Sequence, residues 1–248
     1  MVAAILFGPL SLQILFLIIA ILALQEFYKL IEGEISPQVI LGIITGLITY
    51  IVVAGIWVPS FSVLSLIYAC IAVLFIAELY RKKNNPFTNI ALTITGIIYI
   101  VLPFALLVNL SFRNEAYSWI LPLGFFILLW CSDTFAYIAG MSLGKHRLFE
   151  RISPKKSWEG SIGGTVAALI AAYILFRTVG YYSLTDWMVI AVIIVVAGTF
   201  GDLTESMLKR SLDKKDSGSI LPGHGGLLDR FDGLFIAMPF IYLYLSIR

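Results

Sequence analysis

Apolar residues run through this chain in long continuous stretches separated by short polar connections. Eight stretches approach the roughly 20 residues that a helix needs to cross about 30 Å of hydrocarbon. They cover residues 5–24, 38–55, 61–79, 90–109, 119–140, 161–178, 187–204 and 233–247. The last is short, and Gly8-Pro9 interrupts the first early. The runs are continuous rather than alternating, which argues against a transmembrane β-barrel. The pattern predicts an all-α fold, a polytopic membrane helix bundle of about eight transmembrane helices with a polar site at its cytoplasmic face. No internal repeat or linker divides it. Residues 1–248 are expected to form a single integral-membrane domain, in which 1–118 supply scaffold helices and 119–248 carry the functional site.

Composition agrees: 60% of residues are hydrophobic and 13% charged, against about 25% charged in soluble domains. A net charge of +2 is too small to suggest nucleic-acid binding. Cys70 and Cys131 sit in apolar runs without metal or disulfide spacing and read as small buried hydrophobes. The N-terminus lacks the basic region of a secretory signal and is read as part of the mature protein. Of the 17 Lys and Arg, all but Arg113, Arg177 and Arg248 lie in the connections after the first, third, fifth and seventh runs. The positive-inside rule makes that face cytoplasmic. Trp57, Trp119 and Trp187 lie near run ends on the other side, as interfacial anchors do. Arg81-Lys82-Lys83 reads as a topology determinant and anionic-lipid contact. Glu26 and Glu78 read as solvated helix ends, with a place at the edge of a site as the alternative.

Several polar residues ask for a chemical reason. Asp133 falls inside an apolar run, FFILLWCSDTFAYIAG, where an ionisable group usually faces a cavity or partner. Pairing within the bundle is the structural alternative. In ISPKKSWEGSIGG, Ser153-Pro154 predicts a helix start, with Lys155 and Lys156 at an N-terminus that attracts phosphate. Gly160, Gly163 and Gly164 would allow close backbone approach. The longest polar stretch, Gly201 to Gly233, follows the seventh run. Asp202, Glu205, Ser206 and Lys209 fall at i, i+3, i+4 and i+7, one face of a continuing helix. Pro222 to Gly226 (PGHGG) suits a loop that wraps an anion with backbone N–H groups. Asp229 and Asp232 share a face at the start of the last run. Carboxylates Asp202, Asp229 and Asp232 on two helices match the oxygen preference of Mg²⁺, and the basic residues beside them suit phosphates. A self-neutralised, solvated loop is the competing reading.

Ser206 to Asp232, SMLKRSLDKKDSGSILPGHGGLLDRFD, resembles the pattern of the phosphatidate cytidylyltransferases, or CDP-diacylglycerol synthases. That pattern runs S-x-x-K-R, K-D-x-G/S, P-x-H-G-G and D-R-x-D, and each element occurs here in order. CSDTFAYIAG, Gly144-Lys145, ISPKKSWEGSIGG and GDLTES are also similar to family segments, and so is the early pair Glu26-Phe27. Ser157 stands where Thr is more usual in the family, and keeps the hydroxyl. Family members commonly begin with a basic stub and a complete extra helix; MVAAILFGPLS matches only the tail of that helix, as from a late start or a shortened N-terminus.

The resemblance implies transfer of the cytidylyl group of CTP to phosphatidate in phospholipid biosynthesis. It assigns the catalytic Mg²⁺ to Asp202 and Asp229, with Asp232 as a third ligand or neighbour and room for a second cation. Lys155, Lys156, Lys209 and Arg210 would hold phosphates, with Ser153, Ser206 and Arg230 beside them. Lys215, Asp216 and the loop with Gly223, Gly225 and Gly226 would shape the nucleotide-phosphate pocket, and Asp133 would complete it. His224 would contact a phosphate or pyrophosphate, or make a structural hydrogen bond in its loop. The expected setting is the inner membrane of a bacterium, with the bilayer and a homodimer as partners. Two rivals remain at this point: a CTP-dependent polyprenol or phytol kinase, and a non-catalytic transporter. The D-G-x-x-A-R run of the CDP-alcohol phosphotransferases is absent.

Overall fold

The structure, a computed structural model, describes residues 1–33, 35–113, 116–214, 217–218 and 225–248. Every apolar run forms helix. A short α1 (Val2–Phe7) meets α2 (Pro9–Ile31) at Gly8, whose φ of 133° is strained for other residues. Pro9 then occupies the first turn of α2, where its missing N–H is no loss. α3 (Val39–Val53) and α4 (Val63–Arg81) lead to a rod, Pro86–Leu110, built of α5 (Pro86–Gly96), a π-helical turn (Ile97–Val101) and α6 (Leu102–Leu110). Pro103 has no N–H to offer the carbonyl four residues back, so the ladder shifts just before it. Then come α7 (Ile120–Leu143), α8 (Trp158–Val179), α9 (Leu184–Ser211) and α10 (Leu228–Ile247).

Among the described residues, seven helical stretches are long and apolar enough to cross a membrane. α3, with 15 residues, spans only about 22 Å, yet it links both ends of its neighbours. Gln38 at its start donates to the Leu74 carbonyl (2.9 Å) and Glu78 (2.7 Å), while Asn109 at the other end donates to the Val53 carbonyl (2.9 Å). The eight expected runs are therefore all present as helix. Their ends differ: α9 continues past residue 204 to Ser211, and α10 begins at Leu228 rather than 233. Hydropathy registers only the apolar part of a helix, whereas backbone hydrogen bonding carries the helix on through charged turns.

Two expectations are corrected. Ser153-Pro154 does not start a helix. Ser153–Ser157 is a strand, β2, antiparallel to β1 (Arg147–Phe149), with Arg147 opposite Ser157. Proline is tolerated because a two-stranded ribbon is all edge. The helix waits for Ser157, whose hydroxyl accepts from Gly160 N (3.2 Å) as N-cap of α8. Trp187 is no interfacial anchor either. A capping box of Ser183 and Asp186 starts α9 before the apolar run, which turns Trp187 inward to 0% exposure with its ring edge-on to Tyr182 (5.5 Å). Trp57 and Trp119 do remain exposed.

A cluster of phenylalanines ties the two halves together. Phe16 of α2, Phe104 of α6, Phe126 of α7 and Phe231 of α10 have ring centroids 5.1–6.2 Å apart. α8 lies against α7 through small residues, the usual device for close membrane helices. A Cβ on Gly164 would stand 2.7 Å from the Ser132 carbonyl. The glycines of this segment thus serve mainly to seat α8, and of Gly160, Gly163 and Gly164 only Gly160 reaches the cavity described next.

Candidate active site

α7, α9, the starts of α8 and α10, and the β2 strand enclose a cavity of about 330 Å³. Asp133, Asp202, Asp229, Asp232, Lys155 and Lys156 all line it. Its apolar wall comes from Leu129, Ala136 and Val195, so a single cavity offers both charge and a hydrophobic surface. Asp133, on α7, is thereby placed at a polar site within the bundle. Lys156 Nζ lies 2.7 Å from Asp202 Oδ2 and also reaches the Thr199 carbonyl (3.4 Å). Asp133, Asp202 and Asp232 repel one another electrostatically, with Lys156 the cation among them.

The predicted face of α9 exists and carries two linked pairs. Ser206 Oγ donates to Asp202 (3.2 Å), one turn away. A turn further on, Lys209 bridges Glu205 (2.6 Å) on its own helix and Asp229 (2.5 Å) at the start of α10. Asp229 also accepts from Gly226 N (3.2 Å) and Ser217 Oγ (2.8 Å). Lys209 is thus engaged by two carboxylates, with Lys156 held by a third. The cavity-lining lysine without such a pairing, among the described residues, is Lys155.

The other candidate residues separate from this group. Ser153 sits in β2 opposite Phe149 and does not line the cavity. Arg210 and Arg230 are exposed and lie off its wall. Gly225, with φ of 82°, and Gly226 lead the chain into α10 beside Asp229. Lys215, Asp216, Gly223 and His224 lie outside the described residues.

Glu26 is not a solvated helix end: it is 4% exposed and lies at the edge of the site, the alternative its sequence position leaves open. Its carboxylate accepts from Leu227 N (3.0 Å) and Leu228 N (3.1 Å), the unpaired donors at the start of α10, and from Ser217 Oγ (2.7 Å). An acidic side chain from α2 therefore caps α10, where the helix dipole favours negative charge. Ser217 has one hydrogen to share between Glu26 and Asp229, so the cap and the site residue compete for it. Glu78 is likewise buried, fully bonded to Gln38, Asn89 and Arg81, and belongs to a separate polar knot under α3–α5.

The donors fit a hard cation only in part. All are carboxylate oxygens, the chemistry Mg²⁺ selects. Among the described residues, however, no three His, Cys, Asp or Glu form a metal-sized group. Asp229 is turned to Lys209 and Ser217, and Asp202 to Lys156, so the expected trio of Asp202, Asp229 and Asp232 lines one wall without closing a cage. Mg²⁺ commonly needs only one or two carboxylates when phosphates supply the rest.

Fold and site together define a polytopic integral membrane protein with a charged cavity between its helices. The sequence model of the Cytidylyltransferase family matches residues 1–248. A phosphatidate cytidylyltransferase of Staphylococcus saprophyticus is 35% identical over 244 residues, covering 96% of this chain and 91% of that protein. One from Staphylococcus haemolyticus is 34% identical over 97% of this chain and 92% of its own length. One from Haemophilus influenzae reaches 46% over 125 residues, 48% of this chain and 43% of that protein. The chain belongs to the cytidylyltransferase family, and is accordingly a nucleotidyltransferase.

Proposed function

We propose that this protein transfers the cytidylyl group of CTP to phosphatidate, forming CDP-diacylglycerol and pyrophosphate. The observation that carries the reading is the mixed cavity, in which four carboxylates and two lysines share the lining with Leu129, Ala136 and Val195, so that a charged headgroup and an apolar chain could be met in one place. The names of relatives matching almost the whole chain favour it over a lipid kinase or a transporter.

In the proposed reaction a phosphate oxygen of phosphatidate forms a bond to the α-phosphorus of CTP while the α–β anhydride bond breaks and pyrophosphate leaves with its electron pair. The attacking monoester, with a second pKa of about 6, is already largely dianionic at neutral pH, so no strong general base is required. The barrier is dominated by repulsion between two polyanions. Lys155 at the cavity wall offers a first phosphate contact. Lys156 and Lys209 can each exchange a carboxylate for a phosphate oxygen as charge accumulates. Asp202 and Asp229, with Asp232 beside them, would hold a Mg²⁺ that neutralises phosphate charge and aligns attacking and leaving oxygens. The polar end would face the cytoplasm of a bacterial inner membrane, where CTP is available, and residues 1–248 would act as one membrane domain.

Purified protein given CTP, Mg²⁺ and phosphatidate is expected to release pyrophosphate and CDP-diacylglycerol. Phosphate transfer to an added polyprenol with release of CDP would replace this reading with the kinase.

A further inference from the structure

A second cavity, of about 450 Å³, lies between α4 and α5 and shares no lining residue with the first. Ile76 and Leu79 of α4 and Phe87 and Ile90 of α5 form its apolar walls, and Lys82 and Lys83 stand at its end. The loop that carries the lysines is held in place by its neighbours. Lys82 closes α4 in the left-handed conformation (φ 50°), and Arg81 donates to the Ser36 and Pro37 carbonyls. Glu78 also reaches the groove, but its charge is met by Arg81 at 2.7 Å and its oxygens by Gln38 and Asn89. Neither Lys82 nor Lys83 has an ion-pair partner among the described residues, and both are exposed.

Their place in the bundle decides what such a groove meets. α4 is the least covered of the spanning helices, 11% buried, so the groove opens to lipid. Its lysine end is the same end of the bundle as the catalytic cavity. Arg81 bonds to the loop between α2 and α3, and Lys214, just past α9, bonds to the Leu30 carbonyl at the end of α2. An apolar slot at acyl depth, ending in two unpaired cations at headgroup depth, complements one amphiphile: a lipid with a negative headgroup.

We propose that the α4–α5 groove is a docking site for one anionic glycerophospholipid, with its phosphate on Lys82 and Lys83 and an acyl chain against Ile76, Leu79 and Phe87. The site is separate from the catalytic cavity and does not depend on the assigned reaction. It gives the enzyme a means of retaining an anionic lipid, the chemical class of both its proposed substrate and its proposed product, at the face where catalysis occurs.

Native mass spectrometry of the full-length protein in detergent, titrated with phosphatidylglycerol or phosphatidylcholine, tests this directly. The wild type should hold one phosphatidylglycerol more tightly than phosphatidylcholine. Lys82→Gln/Lys83→Gln should bind phosphatidylglycerol roughly 10- to 30-fold more weakly, the effect of losing two lysines at an anionic headgroup, with phosphatidylcholine unchanged. Ile76→Trp, which fills the slot and keeps both charges, should weaken both lipids. Lys155→Gln/Lys156→Gln, which alters the catalytic cavity, should keep the preference. Variants are compared at matched melting temperature and elution. Unchanged phosphatidylglycerol affinity in the Lys82/Lys83 variant, loss of the preference in the Lys155/Lys156 variant instead, or displacement of the lipid by millimolar inorganic phosphate would each overturn the proposal.

Discussion

At the scale of single residues the site is a set of competing charges. Lys209 lies between Glu205 and Asp229 and is mostly buried, so its removal leaves carboxylates facing one another. Lys209→Met is expected to lower stability by about 3 kcal/mol, as when a buried pair loses one partner, and thermal unfolding in detergent would register it. Lys156→Gln loses one pairing, with Asp202, at a more open position. It should leave the melting temperature nearly unchanged while lowering kcat/KM roughly 10²-fold, as for loss of a preorganised charge contact. Equal melting losses in the two variants would show that the pairs are not arranged as described. Asp133 stands out in the sequence because an ionisable group inside an apolar run is costly without a cavity or partner, and Asp202, Asp229 and Asp232 because they cluster in one dense polar stretch; all four line the cavity. What spacing did not reveal is their pairing: the i, i+3, i+4, i+7 face of α9 is real, yet Asp202 turns to β2 and Glu205 and Lys209 turn to α10.

At the scale of elements, function depends on how α10 begins. Its first turn carries Asp229, and its open N–H groups are satisfied by Glu26. Glu26→Gln keeps the shape but weakens acceptance at a helix N-terminus, a contribution of about 1 kcal/mol for a cap. It should lower kcat more than it raises KM, since it moves Asp229 without touching a substrate. A purely KM effect would place Glu26 in substrate binding instead. The linear sequence offers Glu26 as a residue at the edge of a site but not its partner, because Glu26 and Ser217 are 191 residues apart and only the fold brings them together. The hairpin was not legible for a local reason: Ser153-Pro154 satisfies the rule for a helix start, whereas pairing with residues 147–149, extended by the bond from Trp158 N to the His146 carbonyl (3.0 Å), holds the segment as strand. Packing of α7 on α8 sets the cavity width. Gly164→Val, pressing on the Ser132 carbonyl, should cost about 1–3 kcal/mol by overpacking and reduce activity with it.

At the scale of the whole molecule, the arrangement follows from the solvent on each side. Lipid leaves helices as the only economical way to satisfy the backbone, which is why the runs of apolar residues located all the spanning elements while leaving their charged ends undefined. The ends are where the chemistry lies, since α9 and α10 both extend beyond their apolar runs to bring Asp202, Lys209 and Asp229 together. The basic residues that favour one face in the sequence gather at the cavity end of the bundle. With Cys70 and Cys131 replaced by Ser, a Cys placed at Lys155 should therefore react with an impermeant maleimide only from the cytoplasmic side of sealed vesicles, and one at Val58, beyond the far end of α3, only from the other side. The reverse pattern would invert the topology. The central claim is tested most directly by a product assay on purified protein with CTP, phosphatidate and Mg²⁺. The account predicts stoichiometric pyrophosphate and CDP-diacylglycerol, abolished by chelation, restored by Mg²⁺, and reduced at least about 10²-fold in Asp229→Asn. Near-normal turnover by folded Asp229→Asn, or a phosphorylated lipid with free CDP in place of these products, would contradict it.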